Sequence, residues 1–232
     1  ILQNRTTGEV GIWFLDENGA DVSGSAVSIT PGPSWQLVNH ADFDDDGETE
    51  LLFRNAESGE LVVWAVDQSE TDSNIAFQLT SLSPDWKVAG VSDDENSTQI
   101  SFQNSESAQI INYPVDTNSD GEFELGDGNL YSTQPTSQSW KLLGNGDFNS
   151  DGNDDLFWQN QNSGTLAVWF LDADQNLISA KTISAKPESG SQVACGLGDW
   201  NGDGKVDICI QDLYYGEIEL WILDGTEVQT II

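Results

Sequence analysis

Apolar and polar positions along the chain fall into short strand-like runs that recur at intervals of roughly fifty residues. GEVGIWFLD ends at Asp16, GELVVWAVD at Asp67, AQIINYPVD at Asp116, GTLAVWFLD at Asp172 and GEIELWILD at Asp224. These aspartates are 51, 49, 56 and 52 residues apart, so five copies of one unit fill the chain. Inside a copy, one strand runs to an aspartate (WQLVNHAD, WKVAGVSD, WKLLGNGD, QVACGLGD) and an acidic loop follows. A second strand then ends at Asn55, Asn104, Asn160 or Asp212. A turn of the Ser-Gly type leads into a third strand carrying Trp13, Trp64, Tyr113, Trp169 or Trp221, and a looser fourth strand such as AVSIT, AFQLTSL, LISAKTIS or EVQTII closes the copy.

Four antiparallel strands per copy describe a propeller blade. The third strands separate this from a sandwich with one wet face. LAVWFL and IELWIL are apolar almost throughout, as strands covered on both sides are. The expected fold is therefore all-β, a β-propeller of about five four-stranded blades in a single domain over residues 1–232. Its repeats run approximately 1–34, 35–85, 86–139, 140–191 and 192–232. The recurring Trp reads as filler between blades, where burial of one aromatic is worth about 1.5–3 kcal/mol. The first blade is incomplete, because the residues from Ile1 supply its second, third and fourth strands and none precedes them as a first. A ring of five blades then has one three-stranded blade, unless the missing strand belongs to a segment trimmed away or to a neighbouring molecule; in the last case the open blade edge invites strand addition and self-assembly.

The loop after the first strand carries the chemistry. In GDWNGDGKVD, Asp199, Asn201 and Asp203 alternate, Gly204 turns the backbone and Asp207 closes the loop at position 9. Oxygen side chains so spaced can converge on the six to eight oxygens that calcium prefers. Asp147, Asn149, Asp151, Gly152 and Asp155 repeat the pattern, and so do Asp42, Asp44, Asp46, Gly47 and Glu50. Position 12, a bidentate Glu in helix-loop-helix sites, is here Phe53, Trp158 or Ile210 inside a strand-like run, so these are strand-loop-strand sites. The second copy, VSDDENSTQI, lacks the glycine, is two residues shorter, and is expected to hold no ion. The same copy offers a replacement between its third and fourth strands: Asp116, Asn118, Asp120, Gly121, Glu122 and Glu124, with Asp127 at position 12. Three calcium sites are expected, with a fourth at 116–124.

Seven Lys and Arg against 40 Asp and Glu give a net charge of −33, which excludes a nucleic-acid binder or a polybasic membrane ligand. The expected partners are cations, or surfaces reached through them, and the acidity also keeps a secreted protein soluble. No apolar run approaches the ~18 residues of a membrane span. The chain opens in mid-pattern without Met or a signal peptide, as a processed product or fragment does. Loops of micromolar or weaker affinity stay filled where calcium is plentiful, which points to an extracellular or cell-surface location.

The unit GDFNSDGNDDLFWQN…SGTLAVWFLD resembles the FG-GAP, or VCBS, repeats of bacterial surface proteins and, more distantly, the calcium-binding blades of integrin alpha-subunit propellers. The resemblance implies calcium between a blade's first two strands. It marks Asp42, Asp44, Asp46 and Glu50, then Asp147, Asn149, Asp151 and Asp155, then Asp199, Asn201, Asp203 and Asp207, with the backbone carbonyls of Glu48, Asn153 and Lys205. Glu50 stands where Asp is usual. Integrin-like propellers have seven blades, so five copies imply a smaller or truncated ring. The family implies a structural or adhesive role toward an extracellular protein or glycan, without fixing the ligand.

Other chemistry is sparse. His40, the single histidine, sits where the other copies place Val91, Asn145 and Leu197, which reads as a variable structural position. No Ser-His-Asp or Cys-His constellation is visible, and the clustered carboxylates are already assigned to loops, so glycoside hydrolysis is a remote alternative to a non-enzyme. A lectin-like propeller is the nearer alternative, with Tyr214 and Tyr215 its one hint. Cys195 and Cys209 flank the last loop, where a disulfide would clip the hairpin, although symmetric pairing leaves them about two residues out of register; the other reading is two small thiols.

Overall fold

The computed structural model describes residues 1–4, 6–12, 27–29, 31–43, 47, 49–65, 75–94, 97–117, 123–135, 137–185, 187 and 191–232. All regular structure among them is β-strand. The first sheet has three strands in the order β1 (Leu2–Gln3), β2 (Val10–Ile12), β3 (Val27–Ile29). The second runs β4 (Trp35–Ala41), β5 (Glu50–Asn55), β6 (Glu60–Ala65), β7 (Ile75–Ser81). The third contains β8 (Trp86–Asp94), β9 (Ser97–Asn104), β10 (Ile110–Thr117) and β11 (Phe123–Leu125) in sequence, with β12 (Asn129–Leu130) also on β10. The fourth is β13 (Trp140–Gly146), β14 (Asp155–Asn160), β15 (Leu166–Leu171), β16 (Leu177–Thr182). The fifth is β17 (Gln192–Gly198), β18 (Asp207–Asp212), β19 (Ile218–Asp224), β20 (Glu227–Ile231).

Sheets of sequence-adjacent, up-and-down strands are the blade construction of the all-β propeller class. Four of them are complete blades, so the expectation of about five four-stranded blades is corrected to four complete ones and a three-stranded first sheet. The shortfall lies where the repeat pattern placed it: Gln3 and Asn4 match Arg54 and Asn55, so β1 corresponds to a second strand. In the second copy, β8 continues through Asp94 and β9 begins at Ser97, leaving no long acidic loop between them.

The turn from second to third strand is the same object five times. Asn4, Asn55, Asn104, Asn160 and Asp212 each accept at the side-chain oxygen from the amides two and three residues on. The residue four places on is left-handed in all five, at φ 78°, 78°, 63°, 71° and 75° for Gly8, Gly59, Ala108, Gly164 and Gly216. Asn and Asp suit this turn because their short side chains imitate a backbone acceptor. At Gly59 glycine is also a steric requirement, since a Cβ there would lie 1.8 Å from the Leu82 carbonyl oxygen.

The chain packs as two compact units, one of Ile1–Trp86, Glu95–Thr98 and Val115–Gly126, the other of Lys87–Asp94, Gln99–Pro114 and Asp127–Ile232. In the first, Leu51 and Phe53 of β5 close on Val10 of β2, with Trp35, Leu37 and Trp64 around them. In the second, β14 is buried on both sides. Phe157 joins Leu166 and Val168 against Ile208, Ile210 and Trp221 of the fifth sheet. Leu156 and Trp158 turn the other way, onto Ile110 and Tyr131. Trp158, Phe157 and Phe53 are more deeply buried than most third-strand aromatics: Trp221 is fully enclosed, whereas Trp64 and Trp169 are half-buried against Phe53 and Trp158 at ring distances of 5.7 and 4.8 Å. Trp13 lies outside the described residues.

A side-chain amide also reaches from sheet to sheet within each unit. Gln3 on β1 donates to the Trp35 carbonyl, Gln103 on β9 to that of Trp140, and Gln159 on β14 to that of Gln192. Arg54, the longer residue at this position of β5, donates instead to the Leu82 and Ser83 carbonyls ahead of β8.

Candidate metal loops

The loops 147–155 and 199–207 have one hydrogen-bond frame. Asp147 accepts at its carboxylate from the amides of Asn149, Asp151 and Gly152, and Asp199 from those of Gly202, Asp203 and Gly204. Asn149 Nδ2 donates to Asp151 at 2.9 Å, and Asn201 Nδ2 to Asp203 at 3.0 Å. Position 6 is left-handed in each, at φ +86° for Gly152 and +79° for Gly204, and its amide points back at the first aspartate. Gly47, at φ +88°, donates to Asp42 in the same way at 2.8 Å, so the loop between β4 and β5 shares this anchor.

Position 9 is where sequence and burial combine. Asp155 accepts from the amide of Phe148 at 3.0 Å and, through its other oxygen, from that of Leu171 at 3.0 Å on the third strand. Asp207 does the same with Trp200 at 3.1 Å and Leu223 at 2.8 Å. Both residues are wholly buried, and Glu50 accepts from Phe43 from an equally enclosed position. The extra methylene of Glu50 is thus compatible with the same anchoring bond.

Burial pushes the Asp155 carboxyl up to about 7, with Asp151 and Asp147 adding repulsion against the two amide bonds that favour its ionised form. Asp151 and Asp199, both in water, are held below the usual carboxylate range by their loop hydrogen bonds, Asn149 leading for Asp151 and the Gly204 amide for Asp199. The only ion pair among the described residues is Lys205 with Asp224 at 2.8 Å, so Lys205 Nζ points away from the loop whose backbone it shares. An oxygen-only set with surplus negative charge and a strained buried carboxylate fits a hard divalent cation. As the side chains stand, among the described residues no three His, Cys, Asp or Glu groups already converge as a cage. Asn149 and Asn201, and the carbonyls of Asn153 and Lys205, are the further oxygens these two loops offer.

The remaining expected ligands divide as follows. Asp42 and Glu50 are in place, whereas Asp44, Asp46 and Glu48 lie outside the described residues. Asp116 and Glu124 are direct cross-strand partners on β10 and β11; Asn118, Asp120 and Glu122 lie outside the described residues. What sequence reading passed over is the residue before the turn Asn: Gln3, Gln103 and Gln159 carry the sheet-to-sheet bonds. The recurring Gln-Asn dipeptide was the available signal.

Cys195 and Cys209 are free thiols with Sγ atoms 2.8 Å apart. The disulfide expected as one alternative is thus unformed here, and the register objection to it disappears. Pairing shifts between Ala194 and Gly196, so Cys195 is a bulge residue beside Cys209. Burial and the neighbouring sulfur raise the Cys195 thiol to about 12, which suppresses the reactive thiolate near neutral pH. Oxidation with a disulfide reagent at mildly alkaline pH will close the bond and lower the mass by about 2 Da. An unchanged mass after prolonged exposure would show that the bulge holds the sulfurs apart.

Blades joined by short turns and carrying a repeated acidic loop define this as a repeat protein of the propeller class. Residues 147–210, from the first aspartate of one loop to the strand beyond the next, match the family model for an FG-GAP-like repeat. No curated protein matches the chain by sequence. A crystal structure of a protein from Lactobacillus plantarum, a structural genomics target, aligns over 97% of this chain and 69% of its own at 16% identity, with a TM-score of 0.49.

Proposed function

We propose that the protein is an extracellular interaction module, structural or adhesive, whose propeller blades are clamped at their strand bends by calcium. The reading puts calcium in the loops beginning at Asp42, Asp147 and Asp199, and in the 116–124 connection. The observation that carries it is the common frame of loops 147–155 and 199–207, in which each position-9 carboxylate is buried and tied by two amides beside further acids. The three carboxylates at positions 1, 5 and 9 of each of these nine-residue bends repel one another unless a cation neutralises them. A filled loop fixes the first, second and third strands of its blade together, because position 9 also bonds the third strand. The partner is an extracellular protein or glycan, or another copy of the chain; neither catalysis nor nucleic acid enters this reading.

Isothermal titration with calcium tests it directly. Because the Asp155 carboxyl sits near 7 and a cation favours its ionised form, calcium uptake at neutral pH will release part of a proton. The measured enthalpy will then depend on the ionisation enthalpy of the buffer. Without calcium, Asp155 binds its proton more tightly folded than unfolded. Its stabilising effect is therefore full below pH ~4 and disappears as pH rises toward 7. Asp151→Ala will remove about one bound ion per chain. Absence of saturable calcium heat with the protein folded would end this reading.

A lectin-like reading has one observation in its favour. Tyr214 and Tyr215 are 80% and 73% exposed, ring to ring at 4.8 Å, in a turn that the other four copies build from small or polar residues. A glycan array comparing the protein with the Tyr214→Ser/Tyr215→Ser variant discriminates the two readings.

A further inference from the structure

Within the second unit, two neighbouring pairs of sheets pack by different chemistry at matching positions. Where the fourth sheet meets the fifth, Phe157 and Val168 join Leu197 and Val206 in one apolar cluster. One copy earlier, Ser101 and Asn112 stand at the places of Phe157 and Val168, and Asn145 and Asp154 at those of Leu197 and Val206. All four apolar positions are replaced by polar ones. The correspondence is spatial as well: a Cβ on Gly144 would meet Leu197 Cδ1 at 2.9 Å, and one on Gly90 would meet Asn145 Oδ1 at 2.3 Å.

Asn112, Asn145 and Asp154, together with Gln99, Tyr131 and Asp172, line a cavity of about 150 Å³. Every lining residue belongs to the second unit and to the third and fourth copies, so the cavity is walled by chain interior to the sequence on both sides. Its deeper wall is a bonded network. Ser101, itself buried, donates to Asn112 at 3.3 Å and bonds the Tyr131 hydroxyl at 3.2 Å, while Asn112 and Gln175 both donate to Gln99, the latter at 3.2 Å. The Asn145 side chain is only half served. Its Nδ2 donates to Asp154 at 3.2 Å, but its Oδ1 is buried with no hydrogen-bond partner among the described residues. A buried acceptor without a donor is costly, and a copy that abandons its neighbour's apolar packing at four places carries the kind of local cost found at functional sites.

Charge narrows the ligand. Two carboxylates line the cavity and, among the described residues, no Lys, Arg or His does, which disfavours an anion. The Asn176 amide and its neighbours hold the Asp172 carboxyl below the usual carboxylate range, so it is charged at neutral pH. A hydroxyl could serve the orphaned oxygen but would leave the carboxylates uncompensated. An ammonium brings three donors and the opposite charge together.

We propose that this cavity between the third and fourth sheets binds a small organic amine, its ammonium group seated against Asn145 Oδ1 and the Asp154 carboxylate and its carbon chain against Leu171 and Ala173. The site goes beyond the calcium reading and does not depend on it.

Putrescine, titrated calorimetrically into the whole chain at physiological salt and in excess calcium, is the probe. Saturable binding is expected. Butanediol, with hydroxyls in place of the two ammonium groups, should bind about tenfold more weakly or worse. Asn145→Leu leaves the net charge unchanged and installs the residue that the next copy uses, and it should weaken putrescine about tenfold or more, as should Asp154→Val. Circular dichroism on the same samples reports the fold; where a variant does not fold, the contrast between diamine and diol on the unaltered chain decides. Calcium stoichiometry measured alongside keeps the two readings apart, because empty loops with putrescine bound would sink only the calcium reading. No saturable putrescine heat, equal affinity for the diol, or undiminished binding by folded Asn145→Leu overturns the proposal. So does binding that calcium abolishes, which would place the amine in the acidic loops.

Discussion

Chelating calcium will lower the melting temperature by about 10–20 °C. A ligand that binds only the folded chain stabilises it by RT ln(1 + [L]/Kd), about 2.7 kcal/mol per site at hundredfold excess over Kd. The two fully described loops alone would contribute about 5 kcal/mol, and a domain of this length shifts by roughly 2–4 °C per kcal/mol. The structural reason is local: emptied loops leave Asp147, Asp151 and the buried Asp155 to repel one another, with no Lys or Arg among the described residues bridging to any of the three. Scanning calorimetry in calcium and in excess chelator measures the difference. Magnesium should restore less, because it demands a tighter octahedral shell than a nine-residue loop of mixed oxygens offers. Identical melting curves with and without chelator would mean that the amide bonds alone hold the bends, and the calcium reading would fall.

Asp207→Ala will cost about 2–6 kcal/mol even in chelator, and more in calcium, where the loop also loses its ion. Asp207 accepts the Trp200 and Leu223 amides from a fully buried position, and alanine strips both of their acceptor. Each buried N–H left unsatisfied costs roughly 1–3 kcal/mol. Urea unfolding monitored by tryptophan fluorescence reads the change. Should the alanine variant not fold, Asp207→Asn keeps one acceptor and should show a smaller loss. The contrast is Asp151→Ala: that carboxylate is exposed and bonded only within its own loop, so its loss should matter in calcium and little in chelator. Equal behaviour of the two variants would show that position 9 has no anchoring role beyond the metal.

Strand positions and turns were legible because they depend on neighbours a few residues away. Alternation, the Asn that caps each turn and the glycine at loop position 6 are local requirements, and all recur at the expected places. The division of labour inside the loop was not legible. Asp151 and Asp155 are equally acidic letters, yet one is in water and the other is sealed beneath Phe148 and Leu171, because only the pairing of β14 with β15 brings the third strand over position 9. The cysteines show the same limit: counting outward from the loop leaves them out of step, and one bulge residue in β17 realigns them. The third-strand Trp looked like the main filler, but Trp64 and Trp169 are only half-buried, whereas the second-strand residues Phe53, Phe157 and Trp158 are fully enclosed.

The amino-acid order by itself determined an all-β repeat and its acidic bends, both of which are matters of periodicity and short-range hydrogen bonding. Only the tertiary structure decided which carboxylates are buried, which sulfurs meet, and which side chains bond from sheet to sheet. Those outcomes depend on what an adjoining strand or sheet places against a side chain, and that contact is set by long-range packing, not by chain neighbours.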